Sequence, residues 1–264
     1  MAEISTGIAT TGSARRWWPG NWWADAIVAA KSGTIIGTAL VWLLLYGYIM
    51  HIAGDTMGPG TPAGYFVRQS LLAAALFGSW AVIVVAAWLG ARDNDWGTWG
   101  LRLTGNSRTK LMVNRLVAIG LMSIGLTLVF WLPGALLDQS AALGGYSSTV
   151  FTQLAAAAGM LTLWGCLAFA VATLTRSFAL SAAGTIVYVL LEEFLEARLP
   201  AGVLAVLPHW NCTVVLAAIF PDDNGGVGAV AVHQGHVPTS LLVCAAYLVA
   251  AVIVSVLAMR RRGL

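Results

Sequence analysis

The feature that most constrains this chain is a series of six apolar stretches separated by polar segments. Each stretch is close to the roughly 20 residues that an α-helix needs to cross about 30 Å of hydrocarbon. Hydrophobic residues make up 59% of the chain and charged residues 9%, whereas a soluble domain has roughly 25% charged residues. The sequence therefore predicts an all-α integral membrane protein with six transmembrane helices, over residues 33–52, 69–90, 112–136, 151–174, 177–195 and 239–258.

The distribution of Lys and Arg predicts the orientation of these spans. With six spans and both termini in the cytoplasm, all of the 14 cationic residues except Arg68 and Arg198 face the cytoplasm, as the positive-inside rule requires. A seventh span at 203–220 would put the three arginines at 260–262 outside. A proline and several polar residues also interrupt that segment, and lipid does not satisfy the backbone groups they free. Residues 197–236 are therefore predicted to be an outer region with one or two short re-entrant helices.

Residues 1–32 are predicted to form a cytoplasmic tail followed by an amphipathic helix at the membrane interface. At roughly 100° per residue, one face of this helix carries Trp22, Trp23, Ala26, Ile27 and Ala30. Tryptophans beside arginines suit the headgroup layer. The alternative is an ordinary extension of the first span. No Ser-rich or Pro-rich linker and no repeat divides the chain, so residues 1–264 are predicted to be a single transmembrane domain.

The polar stretch at 93–110 is the only long polar run between two of the predicted spans, and the predicted orientation puts it in the cytoplasm. Its acidic residues come first and its cationic residues last, which suits the dipole of a short helix. The tryptophans within it can anchor such a helix at the interface. The alternative is a solvated loop whose cations only set the topology. We expect this stretch to form a helix whose polar face contacts a soluble protein. The charged residues of the stretch are Asp93, Asp95, Arg102, Arg108 and Lys110.

This stretch resembles the first cytoplasmic loop of the permease subunits of ABC-2-type transporters. That loop typically reads Glu-x-Glu-x-Gly-Thr, then a short apolar helix, then Pro-x-Ser-Arg and a Lys. The corresponding residues here are Asp93, Asp95, Gly97, Thr98, Leu101, Leu103, Ser107, Arg108 and Lys110. Aspartates replace the glutamates. Gly105-Asn106 stands where the family usually has proline, although both residues favour turns. The short turn at 174–177 and the arginines at 260–262 are also similar to those of the family.

The resemblance implies the permease subunit of an ATP-driven ABC exporter in a bacterial plasma membrane. Such a subunit pairs with a second copy or with a homologous permease. It docks separate ABC ATPase subunits through a coupling helix, here 93–110, and moves a drug, a lipid-like molecule or an antimicrobial peptide. The ATPase-coupling residues that the resemblance implies are Asp93, Asp95, Gly97, Thr98, Arg102, Ser107 and Arg108.

This interpretation assigns no catalytic residue, cofactor or metal to the chain itself. The sequence contains no Gly-x4-Gly-Lys-Ser/Thr phosphate-binding loop, which is the motif that cradles nucleotide phosphates. ATP and Mg²⁺ would therefore bind to the partner ATPase. Membrane lipid is expected around the spans, and nucleic acid is not an expected partner. Three alternatives remain: a permease for self-immunity against a peptide made by the same cell, a membrane enzyme, and an accessory membrane anchor without cargo.

Glu192 and Glu193, at the end of the fifth predicted span, suggest a rival interpretation as an enzyme. With Arg198 they resemble the Glu-Glu-x-x-x-Arg motif of CAAX-type intramembrane proteases. Four residues rather than three separate Glu193 from Arg198, and no histidine follows a phenylalanine at that family's spacing. Otherwise the two acids are expected to mark either the interfacial end of the span or a substrate path or outer gate.

The other candidate ligands and aromatic residues are less specific. His233 and His236 with Asp222-Asp223 have side chains that bind metal, but in a Gly-rich outer loop they are expected to be solvated. The three cysteines are scattered along the chain, so neither a disulfide framework nor a Cys metal site is indicated. Packing between helices and contact with a bulky substrate explain four tryptophans equally well: Trp42, Trp80, Trp131 and Trp164.

Overall fold

The computed structural model describes Leu44, Gly47, Tyr48, His51 and residues 65–95, 108–137, 147–196, 198–219 and 236–260. Within these ranges every regular element is a helix, which confirms the predicted all-α class for this part of the chain. The helices are α1 (Tyr65–Asp95), α2 (Arg108–Leu137), α3 (Ser147–Thr175), α4 (Phe178–Glu196), α5 (Ala201–Leu204), α6 (Pro208–Ile219) and α7 (Val237–Arg260).

Five of these helices are long and apolar enough to cross a membrane. The candidate spans are Ala73–Arg92, Thr109–Ala135, Val150–Thr175, Phe178–Glu196 and Val237–Ala258. They lie at the positions of the second to the sixth predicted spans. Four predicted features lie largely or wholly outside the described residues: the interfacial helix within 1–32, the first span at 33–52, the middle of the coupling stretch at 96–107, and the segment 220–235.

The described helices between the last two candidate spans, α5 and α6, are much shorter than the spans. α6 has 12 residues, which is about 18 Å at a rise of about 1.5 Å per residue. A helix of that length does not cross about 30 Å of hydrocarbon. It begins at Pro208, and proline is well suited to the first position of a helix because the N–H it lacks has no partner there anyway. The proline that interrupts the apolar segment in the sequence is thus the start of a helix.

Hydroxyl side chains inside the apolar helices bond to their own backbone. Ser123 donates to the Ile119 carbonyl at 2.9 Å, Thr127 donates to the Ser123 carbonyl at 2.9 Å, and Ser255 donates to the Ala251 carbonyl at 2.7 Å. Each bond spans one helical turn, a common way for Ser and Thr to satisfy themselves within a helix. These hydroxyls are therefore compatible with apolar surroundings.

α1 is the most enclosed of the candidate spans. It packs against α2, α3 and α4. About 81% of its candidate span is buried inside the protein, whereas only 11% of the α7 span is buried. Ile83 of α1 and Trp164 and Phe169 of α3 are fully buried in the core between these helices. α2 and α7 instead expose many large apolar side chains, as expected of surfaces that face lipid.

Three of the helices meet closely at Gly165 of α3. A Cβ atom there would lie 2.6 Å from Cγ2 of Ile119 in α2 and 2.7 Å from Cγ1 of Val82 in α1. Real Cβ atoms do not approach other carbons this closely. Small residues at helix interfaces allow such close packing in membranes, and at this position only glycine fits the packing.

A two-residue turn reverses the chain between α3 and α4. Arg176 adopts a left-handed conformation with a φ of 60°, and its N–H donates to the Ala172 carbonyl at 2.9 Å, which is the αL way of ending a helix. The Ser177 hydroxyl then accepts from the N–H of Leu180 at 3.4 Å and caps the start of α4. Ser181 donates to the Ala168 carbonyl at 2.8 Å, which fixes α4 against α3.

Candidate functional site

A buried carboxylate of α4 caps the start of α6. The Glu192 side chain is only 3% exposed, and its Oε1 accepts the backbone N–H groups of His209 at 2.6 Å and Trp210 at 3.1 Å. The first N–H groups of a helix have no acceptor within the helix. The residue before Pro208 is Leu207, whose side chain cannot accept a hydrogen bond. Glu192 therefore supplies from another helix what a capping Ser or Asp would supply locally.

A second acid, one turn further along α4, binds the histidine side chain. Nδ1 of His209 lies 2.7 Å from Oε1 of Glu196, and both side chains are largely buried. Burial alone lowers the pKa of His209, but the hydrogen bond and charge of Glu196 and the charges of Glu192 and Glu193 raise that pKa above its ordinary value. Glu192, Glu196 and His209 are called the acid–histidine cluster below.

The Trp164 side chain lies beside this cluster. Its ring centroid is 6.2 Å from that of His209 and 6.4 Å from that of Tyr188. Within the described ranges, buried polar atoms without a hydrogen-bond partner include Nε1 of Trp164 and two atoms of α4, Oγ1 of Thr185 and Oε2 of Glu192. Buried polar groups are usually satisfied, and an ionisable residue within a membrane helix is a candidate functional residue. The cluster is therefore the candidate site of this structure.

Hydrogen bonds from two other helices fix α6 and the turn before it. The Gln153 side chain of α3 donates to the Ile219 carbonyl, at the last residue of α6, at 3.3 Å. The Tyr247 hydroxyl of α7 donates to the Val206 carbonyl at 2.9 Å. Asn211 of α6 donates to the carbonyls of Ala205 at 3.0 Å and Leu207 at 2.7 Å. With Glu192 of α4, three long helices thus position this short one.

A cavity of about 250 Å³ lies between α3, α6 and α7. Its walls are apolar side chains and two thiols, and among the lining residues are Met160, Cys212, Leu216, Cys244 and Leu248. Sγ of Cys212 and Sγ of Cys244 are 3.7 Å apart. The size and the lining suit a small apolar group.

The structure separates the two acids that the sequence paired. Glu192 is buried against α6, whereas Glu193 is exposed. Glu196 and His209 were not predicted as site residues. The spacing of Glu192 and Glu196, one turn apart on α4, is a sequence signal that would have found one of them. The sequence signal for His209 is indirect. A helix that starts at Pro208 has no capping side chain before it, so the N–H of His209 needs an acceptor from elsewhere in the chain.

The predicted coupling residues are described only at the edges of their stretch. Asp93 and Asp95 belong to the last turn of α1, and Arg108 is the first residue of α2. Gly97, Thr98, Arg102 and Ser107 lie outside the described residues. Of the predicted outer metal ligands, His236 lies just before α7, and His233 and the two aspartates are also outside the described ranges. No group of three or more potential metal ligands occurs among the residues that the structure describes.

Together, five apolar helices of membrane-spanning length and a buried ionisable cluster are features of a helical multi-pass membrane protein. Comparison of the chain with protein-family models and with curated protein sequences finds no match. Within the site, Glu196 binds the ring of His209, while Glu192 holds the start of α6. The arrangement therefore makes the position of α6 sensitive to the charge of one histidine.

Replacing His209 by glutamine is expected to flatten the dependence of stability on pH. Because the pKa of His209 is raised in the folded protein, its contribution is fully present below about pH 6.5 and is lost as the pH rises through the raised pKa. A hydrogen bond to a charged group contributes about 1.5–3 kcal/mol, and the pH-dependent contribution of His209 should be smaller than that. Thermal unfolding in detergent, followed by tryptophan fluorescence between pH 6 and pH 9, measures it.

The matched control is His236→Gln, since His236 is exposed just before α7. The wild-type protein and this control should lose stability together as the pH rises, while His209→Gln should change less. Equal pH dependence in all three proteins would refute a role for charged His209.

Proposed function

We propose that this protein is the permease subunit of an ATP-driven ABC exporter of the ABC-2 type. It moves a drug, a lipid-like molecule or an antimicrobial peptide across a bacterial plasma membrane. The observation that carries the proposal is the polar stretch 93–110, which connects α1 and α2, two helices that pack against each other. A charged segment between two packed spans is a suitable point at which a soluble ATPase can act on the membrane part.

The ends of α1 and α2 that flank this stretch are well embedded in protein. Arg92 and Arg115 are fully buried, and the Arg92 guanidinium lies 4.7 Å from the centroid of the Trp88 ring. Charged side chains in membrane helices generally face protein rather than lipid. A force applied to the stretch is therefore passed to the bundle at two fixed points, one on each helix.

The region between α4 and α7 also supports the proposal. α5 and α6 are too short to cross the membrane, and hydrogen bonds from three long helices hold α6 and the turn before it. This agrees with re-entrant helices before the last span, which the resemblance to ABC-2-type permeases leads one to expect. In this proposal both termini are cytoplasmic, and the acid–histidine cluster lies near the outer end of the bundle.

The two acids that resemble a protease motif favour transport over proteolysis. Glu192 is engaged by backbone N–H groups of α6, while Glu193 is exposed. The Arg198 guanidinium lies 4.1 Å from the centroid of the Phe194 ring. Acids with such different surroundings do not form a pair around one catalytic water. ATP and Mg²⁺ are bound by the partner ATPase, and a second permease copy completes the transporter.

Replacing Asp93 and Asp95 together by alanine is expected to weaken binding of the ATPase. The loss of a charged contact at an interface costs about 2–5 kcal/mol when the contact is buried, so association should fall by about 25-fold or more. Replacement of both by glutamate, the usual residues of the family, should preserve binding. The measurement is recovery of an ABC ATPase, identified by mass spectrometry through its phosphate-binding loop, with the affinity-tagged chain purified from its native membranes.

Glu193→Ala is the matched control, because it removes an exposed acid at a distant place in the chain. The purified chain alone should hydrolyse no ATP, and hydrolysis should appear only with the recovered ATPase. Robust hydrolysis by the chain alone, or equal ATPase recovery with the double alanine variant, argues against the coupling role proposed for 93–110.

A further inference from the structure

Two of the three cysteines in the chain come together in the folded protein. Cys212 on α6 and Cys244 on α7 are 32 residues apart in sequence, and their Sγ atoms are 3.7 Å apart. Both are free thiols, as is Cys166, which is buried on α3 in the hydrophobic core. The structure therefore contains one thiol pair, Cys212–Cys244, and one isolated thiol within the described residues.

The two sulfur atoms of the Cys212–Cys244 pair are close enough to be joined by a small movement. A disulfide needs a sulfur–sulfur distance of about 2.05 Å, so the two Sγ atoms must approach each other by less than about 2 Å. α6 and α7 are packed against each other, which keeps the two side chains together. The cavity that both cysteines line leaves room for their side chains to rotate.

The two thiols differ in accessibility. Cys212 is only 4% exposed, whereas Cys244 is half-buried. A small apolar reagent that enters the cavity therefore reaches Cys244 first, and Cys212 is in position to complete the reaction. This is the arrangement of an attacking and a resolving thiol.

We propose that Cys212 and Cys244 are a redox modification site that forms a reversible disulfide between α6 and α7. The oxidant is a small disulfide, R–S–S–R. The Cys244 sulfur attacks one sulfur of the reagent, forms a mixed disulfide and releases one R–SH. The Cys212 sulfur then attacks the Cys244 sulfur and releases the second R–SH. Two protein thiols are oxidised, one reagent disulfide is reduced to two thiols, and each cysteine proton ends on a released thiol.

The disulfide would fix α6 against α7 at the wall of the cavity. Without it, described contacts between α6 and α7 are non-covalent. With it, the chain from 212 to 244 becomes a closed loop. The proposal does not depend on the transport function, because it rests on the thiol geometry alone.

The experiment treats the full chain in detergent with dithiodipyridine, an aromatic disulfide whose released thiopyridone is measured by its near-ultraviolet absorbance. The wild-type protein should release two thiopyridones from this pair, and its intact mass should fall by two hydrogens with no retained pyridyl group. Cys212→Ser should release one thiopyridone and retain one pyridyl group on Cys244. Cys166→Ser, the matched control, should behave as the wild type. Reduction by dithiothreitol should restore the original mass.

Three results would overturn the proposal. One is a wild-type protein that keeps the pyridyl group on Cys244. Another is a wild-type protein in which both cysteines stay reduced, which shows that the pair is closed to a small disulfide. The last is a disulfide between two chains, seen as a covalent dimer on a non-reducing gel. Cys212→Ala repeats the test with a side chain that forms no hydrogen bond, and equal thermal unfolding of each variant verifies its fold.

Discussion

Replacement of Glu192 by alanine should lower the free energy of unfolding by about 2–6 kcal/mol. The change removes the acceptor of two backbone N–H groups, those of His209 and Trp210. Each buried donor left without a partner costs about 1–3 kcal/mol. The start of a helix also favours a negative charge, which Glu192 supplies when it is ionised. The neighbouring acid Glu196 already binds the His209 ring.

Glu192→Gln separates the role of the acceptor from the role of the charge. The amide keeps one oxygen that can accept from the two N–H groups, so this variant should lose less stability than Glu192→Ala. Glu193→Ala is the neighbouring control and should change stability by less than about 0.5 kcal/mol, as exposed substitutions usually do. Unfolding in detergent can be followed by the fluorescence of the 12 tryptophans of the chain. A Glu192→Ala protein as stable as Glu193→Ala would show that α6 does not depend on this cap.

Replacement of Gly165 by alanine should destabilise the bundle by about 1–3 kcal/mol. The added Cβ would lie 2.6 Å from Ile119 Cγ2 and 2.7 Å from Val82 Cγ1, so α1, α2 or both must move away from α3. Adding a methyl group to a well-packed core typically costs this much. Because Ile119 and Val82 are themselves fully buried, their side chains have little freedom to make room.

The same helix offers a control for this prediction. A Cβ atom at Gly159 of α3 meets nothing within 4 Å, and Gly159 lines the cavity. Gly159→Ala should therefore be neutral or stabilising by up to about 1 kcal/mol, because alanine is the better residue in a helix interior. Thermal unfolding of the two variants in one detergent compares them directly. If both alanines have the same effect, α1, α2 and α3 do not meet as closely as the structure indicates.

The apolar spans could be predicted from the sequence because their cause is local. A segment in hydrocarbon must satisfy its own backbone, so length and hydropathy alone mark α2, α3 and α7. The same local reasoning treated Pro208 as an interruption of an apolar segment. Pro208 is in fact the first residue of α6. The sequence alone did not decide this, since a proline can follow the end of one helix or begin another.

The candidate site was harder to predict because its parts are distant in sequence. His209 is 17 residues from the carboxylate that accepts its N–H, and the cysteines of the pair are 32 residues apart. No periodicity within one helix relates such positions. These residues meet because α6 packs against α3, α4 and α7. The sequence identified Glu192 through its neighbour Glu193, which the structure leaves exposed.

The attachments of α6 also determine how it can move. Its start is bound to α4 through Glu192, and its last residue is bound to α3 through Gln153. A rod held at both ends by different supports resists sliding along its own axis. When the supports shift relative to each other, the rod tilts instead, and its middle swings. Cys212 and Leu216 lie in that middle, on the cavity wall. A small displacement between α3 and α4 would thus reach the cavity as a rotation of one of its walls.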